Sequence, residues 1–260
     1  MRENRLTRLL ASERVLLGAH IPFPSADLVE FCGHLGFDWV FIDAEHGVIG
    51  VETTQQLIRA ADVIGMATVV RVPATTPSVV LGYAESGADA ILAPHVMSVE
   101  SAEELVRAVR YWPIGARGSY SGSRAANWGL TQTPQEYFGA LEQHAMPMAM
   151  LEDVAAYEEV GRLCAVPGLD MFFLGAGDLA MSMELPGQAS HPRVLDRLTA
   201  AAEVLRAHGS TFGAMAATPE AAKAMASLGC RLLAVSAGGL LASAARTYLT
   251  ESRASVSTVG

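Results

Sequence analysis

The feature that most constrains the fold is a regular alternation of short apolar runs with helical patterns along the whole chain. Between the runs, in residues 98–112 for example, apolar side chains recur at the i, i+3, i+4 and i+7 spacing of an amphipathic helix. The runs themselves are continuously apolar, as are strands that lie buried on both faces in a parallel sheet. They cover residues 15–21, 38–43, 68–72, 90–93, 146–151, 170–174, 212–216 and 231–235.

These strand and helix repeats predict an α/β fold whose sheet closes on itself, the (β/α)8 TIM barrel. An open dinucleotide-binding sheet is the alternative, but no G-x-G-x-x-G motif follows the first strand. The length of 260 residues fits, because such barrels commonly use roughly 250 residues for one domain. We therefore expect a single domain over residues 1–260.

Local signals mark where the predicted helices begin and end. Threonine-proline pairs predict helix starts, because the hydroxyl can accept from a free backbone N–H and proline suits the first helical position. The pairs are Thr76-Pro77, Thr133-Pro134 and Thr218-Pro219. Glycines predict the helix exits, where a left-handed residue is often needed, at Gly36, Gly65, Gly87, Gly209 and Gly229. The Gly- and Ser-rich stretch 115–129 interrupts the rhythm, and its length predicts a loop at the functional site.

Composition excludes several functional classes. The formal net charge is −9 and no basic cluster is visible, so we expect no nucleic-acid partner. No apolar run reaches the ~18 residues of a membrane span, and charges interrupt positions 1–17, which argues against a secretory signal. The cysteines, Cys32, Cys164 and Cys230, lie far apart in apolar segments and are typical of a reduced cytoplasmic protein.

Charged and polar side chains follow several of the predicted strands. In a (β/α)8 barrel the carboxyl ends of the strands meet at one face, and the chemistry collects there. The groups at these ends are Asp43, Glu45, His46, Arg71, His95, Glu152, Asp153 and Asp178. Each alone has an ordinary structural explanation, such as a helix cap, an acid in the first turn of a helix or a buried histidine. Their convergence on one face favours a functional site.

Two of these residues allow predictions about the interior of the barrel. Arg71 lies inside an apolar strand, and a buried guanidinium needs an anionic partner. If Glu152 points inward, alternation places the methionines of the same strand on its face, namely Met146, Met148 and Met150. We interpret the first two as barrel core.

The residue types at the strand ends point to a particular chemistry. Carboxylates on neighbouring strands, without cysteine ligands or paired histidines, form an oxygen-rich site that suits Mg²⁺ or Mn²⁺ better than structural zinc. A nearby arginine would bind an anionic oxygen of the substrate, and a histidine steered by a carboxylate would move protons. Together these groups are what enolisation of a 2-oxo acid requires.

Several motifs resemble one enzyme family over about residues 17–248. The motifs are Phe37-Asp38-Trp39 leading to Asp43-Ala44-Glu45-His46-Gly47, Val70-Arg71-Val72-Pro73, Gly115-Ala116-Arg117-Gly118, Glu152 after the fifth strand, and Gly175-x-x-Asp178-Leu179. Their combination is similar to the class II, metal-dependent pyruvate aldolases of the HpcH/HpaI family. That family includes 4-hydroxy-2-oxoheptanedioate aldolase and the 2-keto-3-deoxy sugar-acid aldolases.

The resemblance implies a carbon-carbon lyase that cleaves a 4-hydroxy-2-oxo acid to pyruvate and an aldehyde through a metal-stabilised enolate. Glu152 and Asp178 would bind the divalent metal, which would be Mg²⁺, Mn²⁺ or Co²⁺. Arg71 would stabilise the enolate. His46, oriented by Asp43, would act in proton transfer. Backbone N–H groups around Gly177 and Asp178 would hold the pyruvate carboxylate.

The resemblance also implies a homo-oligomer, commonly a hexamer built as a trimer of dimers. The barrels would associate by exchanging the last helix, for which the apolar segment 239–249 is suited. Glu85 stands where the family places an acidic residue that reaches a neighbouring subunit's active site. Ser119 begins the 119–128 loop, which would build the aldehyde pocket, with a contribution from a neighbouring subunit.

The chain departs from the family pattern at three positions. Met150 replaces a common glutamine near the metal and pyruvate, Ala176 replaces a proline, and Ala180 replaces a serine. These changes leave a second hypothesis open, namely another lyase or decarboxylase reaction on the same enolate platform. A third hypothesis is a catalytically silent barrel kept for assembly or ligand binding. The intact metal, arginine and histidine positions argue against the third.

Overall fold

The computed structural model describes residues 4–169 and 171–257, apart from the side chain of Glu142, and these form eight parallel strands that close into a barrel. The strands pair in sequence order, and the last pairs with the first. They are β1 Leu16–Ile21, β2 Trp39–Asp43, β3 Ala67–Arg71, β4 Ala90–Ala93, β5 Met146–Leu151, β6 Met171–Leu174, β7 Thr211–Met215 and β8 Leu232–Ser236. The predicted (β/α)8 barrel is confirmed.

Each predicted strand differs from the observed one by at most one residue at either end. Residue 170, where the sixth predicted run begins, lies outside the described residues. The agreement follows from the continuous burial of these strands. Because few polar residues occur within them, the apolar runs in the sequence have clear ends.

Helices precede the first strand, connect the strands and cover the outside of the barrel. They are α1 Arg5–Leu10, α2 Ala26–His34, α3 Val51–Val63, α4 Pro77–Glu85, α5 Val99–Val109, α6 Pro134–Gly139, α7 Val154–Leu163, α8 Ala176–Ser182, α9 Pro192–Ala207, α10 Pro219–Ser227 and α11 Ala237–Val256, with 3-10 turns at Arg124–Gly129 and Leu141–Gln143. Across the described ranges, none of these helices has both the length and the apolar character to cross a membrane.

The predicted helix boundaries hold with one exception in the capping. Thr133 forms a capping box with Glu136, and Thr218 accepts from the backbone of Ala221. Thr76 precedes α4, but its side chain caps no backbone N–H. The glycines predicted to end helices all have positive φ, between 72° and 99°.

Two apolar layers form on either side of the strands. The inner one fills the barrel and contains Trp39, Phe41, Met148 and Met150, which confirms the inward face predicted for β5. Leu6 of α1 is fully buried in the same layer, so α1 closes the amino-terminal end of the barrel. The site must therefore open at the opposite end.

The loop over residues 115–129 lies at the amino-terminal end, so the prediction that it belongs to its own barrel's site is wrong. Arg124 pairs with Asp62 near the end of α3 and donates to the carbonyl of Ser86 at 2.8 Å. The reason is topological. This loop follows α5, and each helix of a (β/α)8 barrel returns the chain to the amino-terminal ends of the strands. Ser119 is an exposed residue of this loop.

Candidate active site

An ion pair joins the ends of β2 and β3. Asp43 and Arg71 are register partners, and the guanidinium donates from Nε to Oδ1 at 3.0 Å and from Nη2 to Oδ2 at 2.5 Å. Glu45 adds a second carboxylate, with Oε2 3.2 Å from Arg71 Nε. Burial would raise the pKa of Asp43, but hydrogen bonds from His20 and Arg71 hold this pKa well below its usual range. The anionic partner expected for Arg71 is thus present.

Asp43 does not orient the ring of His46, contrary to the expectation from the resemblance. The carboxylate accepts from the backbone N–H of His46 at 3.3 Å, because the chain turns back over the end of β2. The imidazole is 62% exposed, and its Nε2 lies 3.7 Å from Oε2 of Glu45. His46 nevertheless lines the same cavity as Asp43.

The imidazole that contacts Asp43 belongs to His20, which sequence reasoning missed. Its Nε2 lies 3.2 Å from Asp43 Oδ2, and its ring packs edge-on against Phe41 at 5.1 Å between centroids. Nδ1 is buried and has no hydrogen-bond partner within the described part of the chain. The available signal was alternation in β1, which puts His20 on the inward face at the carboxyl end of the strand.

Glu152 follows β5 and is almost completely buried at 1% exposure. Its Oε1 accepts from the backbone N–H of His95 at 2.7 Å. Burial raises the pKa of Glu152, the hydrogen bond and charge of His95 oppose this, and the negative charges of Asp178 and Glu45 raise the pKa further. The strand ends thus hold a buried excess of negative charge.

His95 lies among three of these carboxylates. Its Nδ1 is 3.3 Å from Glu152 Oε1 and 3.4 Å from Asp153 Oδ2, and its Nε2 is 3.7 Å from Glu45 Oε1. Burial would lower the pKa of His95, but the carboxylates, Glu152 foremost, raise it. The residue has φ of 52°, which is uncommon outside glycine. In this conformation its backbone N–H reaches Glu152.

The segment after β6 brings Asp178 to the same place. Gly175 is the N-cap of α8, and Gly177 and Asp178 are exposed in its first turn. A Cβ at Gly175 would lie 2.8 Å from Cβ of Glu152, so glycine is needed for the two segments to approach. Asp178 lines the same cavity as Glu152, and its negative charge is one of those that raise the pKa of Glu152.

Met150 lies beneath these groups on β5. Its Sδ is 3.6 Å from Arg71 Nη1, and only 3% of the residue is exposed. A thioether is a weak acceptor. The strong hydrogen bonds of the guanidinium are therefore those to Asp43, and Glu45 adds an ion pair.

A single cavity of about 880 Å³ collects most of the residues singled out from the sequence. It is lined by Asp43, His46, Arg71, Met150, Glu152, Gly177 and Asp178, and also by His20 and Phe41. Glu85 and Ser119 do not line it, since α4 and α5 carry both toward the amino-terminal end. The role of Glu85 in a neighbouring subunit stays a prediction. Over residues 4–169 and 171–257 no group of three or more His, Cys, Asp or Glu side chains is arranged to hold a metal.

Comparisons with known proteins show which family the chain belongs to. The model of the HpcH/HpaI aldolase/citrate lyase family matches residues 16–244. The 4-hydroxy-2-oxovalerate aldolase of Rhodococcus jostii is 31% identical over 236 residues, covering 89% of each chain. The hydroxypyruvate/pyruvate aldolase of Cupriavidus necator is 30% identical and covers 94% of this chain and 90% of its own.

A solved structure supports the same assignment. An HpcH/HpaI aldolase/citrate lyase family protein from Burkholderia cenocepacia superposes with a TM-score of 0.89 at 29% identity, covering 96% of this chain and 99% of its own. The matched region contains all eight strands and every charged group at the mouth of the barrel. This chain belongs to the HpcH/HpaI aldolase/citrate lyase family and is a lyase built on a (β/α)8 barrel.

Proposed function

We propose that this protein is a divalent-metal-dependent aldolase that cleaves a 4-hydroxy-2-oxo acid to pyruvate and an aldehyde. The observation that carries the proposal is that Arg71 and the carboxylates of Glu152 and Asp178 line one cavity. Aldolase names among relatives that share nearly the whole chain support the same reaction.

The residues present suit a divalent cation. Glu152 and Asp178 would hold it with oxygen ligands, which Mg²⁺, Mn²⁺ and Co²⁺ accept, and substrate or water would complete the coordination. The raised pKa of Glu152 reflects burial and negative neighbours, a condition that a bound cation relieves. When bound, such a cation polarises the 2-oxo group and stabilises negative charge that develops there.

The chain's own groups supply the rest of the reaction. A base removes the proton of the C4 hydroxyl, the C3–C4 bond breaks, and its electron pair passes into the enolate of pyruvate as the aldehyde leaves. The enolate then takes a proton on carbon and becomes pyruvate. Arg71 stabilises the enolate oxygen as a guanidinium already oriented by Asp43 and Glu45, so little reorganisation is needed.

Product analysis tests the proposal against its alternatives. A panel of 4-hydroxy-2-oxo acids is incubated with protein and Mn²⁺, and the products are identified by NMR. An aldolase yields pyruvate and aldehyde in equal amounts. Release of CO₂ without an aldehyde would instead indicate a decarboxylase. A protein that forms no product and also fails to exchange pyruvate methyl protons with D₂O would be a silent barrel.

The two histidines at the cavity can be separated by mutation. We expect His46→Ala to slow cleavage by about 10²–10⁴, because its exposed ring is free to exchange protons with substrate. His34→Ala, in the last turn of α2 and outside the cavity, is the matched control and should keep full activity. If His46→Ala kept full activity and His20→Ala lost most of it, the role in proton transfer would belong to His20 and not to His46.

We also propose a homo-oligomer, a trimer of dimers. In the 20-residue helix α11 only Ala237 is buried, and Leu241 and Tyr248 are 66% and 69% exposed. Leu17 of β1 and Phe31 of α2 are also apolar and are 50% and 62% exposed. Apolar surface on this scale marks an interface, and an exchanged α11 from a second copy would cover it.

Light scattering at micromolar concentration is expected to give a mass several times 27.4 kDa. Leu241→Glu should lower that mass, because it places a charge on the apolar face of α11. Glu203→Lys, an exposed change on α9, should leave the mass unchanged. A wild-type protein that is monomeric throughout would contradict this proposal.

A further inference from the structure

The cavity at the catalytic residues extends beyond them, between α9 and α10. This part, called the side pocket here, is lined by Leu195, Leu198, Ala221, Ala224 and Met225. Met215 at the end of β7 lies in the same cavity as the catalytic groups. Continuity with the catalytic end distinguishes the side pocket from an isolated surface groove.

The side pocket has unused apolar surface. Leu195 is 46% exposed and Met215 is 43% exposed, although both line a concave site. Large apolar side chains left open in a cavity usually mark the place of a ligand's apolar part. Ala221 and Ala224 have small side chains, so α10 leaves space in the side pocket.

The size of the cavity exceeds what pyruvate needs. Cavities that enclose whole drug-sized ligands have about 300–1,000 Å³, and this one has about 880 Å³. A three-carbon acid at Glu152 and Asp178 would leave most of that volume to the rest of the substrate. In the proposed reaction, the rest of the substrate is the part released as the aldehyde.

Charge restricts the chemistry of that part. Among the described residues that line the cavity, the arginine and both histidines stand at the catalytic end, while Glu220 is the charged residue beside the side pocket. Ser190 and Thr218 are neutral polar neighbours. A carboxylate, sulfonate or phosphate on the aldehyde would therefore meet the negative charge of Glu220, and the described lining residues beside the side pocket offer it no cation.

We infer that the aldehyde released by this enzyme is uncharged and carries an extended apolar chain that binds between α9 and α10. The inference rests on the proposed aldolase function and adds the substrate class. In the addition direction, pyruvate loses a methyl proton, its carbon bonds to the aldehyde carbon, and the aldehyde oxygen takes up a proton.

The test measures addition of pyruvate to three aldehydes: acetaldehyde, hexanal and 6-oxohexanoate. The last two match in chain length and differ by a carboxylate. We expect kcat/KM for hexanal to exceed both others by at least about 10-fold, because each buried methylene contributes to binding. Ala224→Phe should fill the side pocket and remove the preference for hexanal, while acetaldehyde addition and pyruvate–D₂O exchange persist.

Ala207→Phe, an exposed position on α9 outside the cavity, is the matched control and should retain the hexanal preference. Equal use of hexanal and 6-oxohexanoate, or an Ala224→Phe variant that keeps the preference, would overturn the inference while leaving the aldolase intact. A wild type that catalyses neither addition nor pyruvate exchange would overturn both.

Discussion

Arg71→Ala is expected to slow the exchange of pyruvate methyl protons with D₂O by about 10²–10³ in the presence of Mn²⁺. Exchange requires the enolate, and the Arg71 guanidinium, paired with Asp43 and Glu45, supplies positive charge at the cavity. Loss of the methyl signal in a proton NMR time course gives the rate directly. The exchange rate of Arg71→Lys should lie between those of the wild type and Arg71→Ala, since lysine keeps the charge but loses the bidentate geometry.

Folding must be checked in the same experiment. The side chains of Arg71 and Asp43 are 10% and 6% exposed, and removing one partner of a buried pair typically costs about 3–5 kcal/mol. Thermal unfolding identifies the temperature at which Arg71→Ala is still folded. Arg162→Ala breaks an exposed pair with Glu159 on α7 and is the control, with no expected effect on exchange. An Arg71→Ala variant that is folded and exchanges at the wild-type rate would remove Arg71 from the mechanism.

Glu152→Ala is expected to abolish binding of Mn²⁺, measured by calorimetry, and with it all turnover. Two carboxylates are proposed to hold the metal, and Glu152 is the buried one, so its loss leaves Asp178 alone at the exposed start of α8. Glu152→Gln should fail similarly, because it keeps the shape and removes the charge. Glu158→Ala, an exposed acid on α7, should bind Mn²⁺ like the wild type.

Chelation offers an independent check on the same proposal. Excess EDTA should stop turnover, and added Mn²⁺, Mg²⁺ or Co²⁺ should restore it. Full activity of the wild type in excess EDTA would contradict the metal assignment, even if Glu152→Ala were inactive for another reason.

The barrel and most of its site could be predicted because both depend on short-range patterns. Continuous apolar runs defined the strands, and the rule that strand ends meet at one face brought Asp43, Arg71, Glu152 and Asp178 together before any contact was known. The pairing of Arg71 with an acid followed from the cost of burying an unpaired guanidinium. The alternation of apolar and polar residues, together with the positions of the charges, was enough to predict these features.

Contacts between strands and the direction of turns could not be predicted in this way. His20 is the ring partner of Asp43, but this contact joins β1 to β2 and depends on register, which the local pattern of neither strand specifies. His46 was expected in that place, yet the turn after β2 directs its backbone rather than its ring toward Asp43. The 115–129 loop lies at the amino-terminal end because it follows α5, and neither its length nor its Gly and Ser content reveals that position.

Exchange in the wild type tests most directly whether this cavity forms the enolate of pyruvate. Pyruvate, protein and Mn²⁺ are combined in D₂O without any aldehyde, and the methyl signal is followed by NMR. The proposed mechanism predicts progressive loss of that signal, which stops on addition of EDTA. No exchange above the protein-free rate, while a larger 2-oxo acid is still consumed, would contradict it.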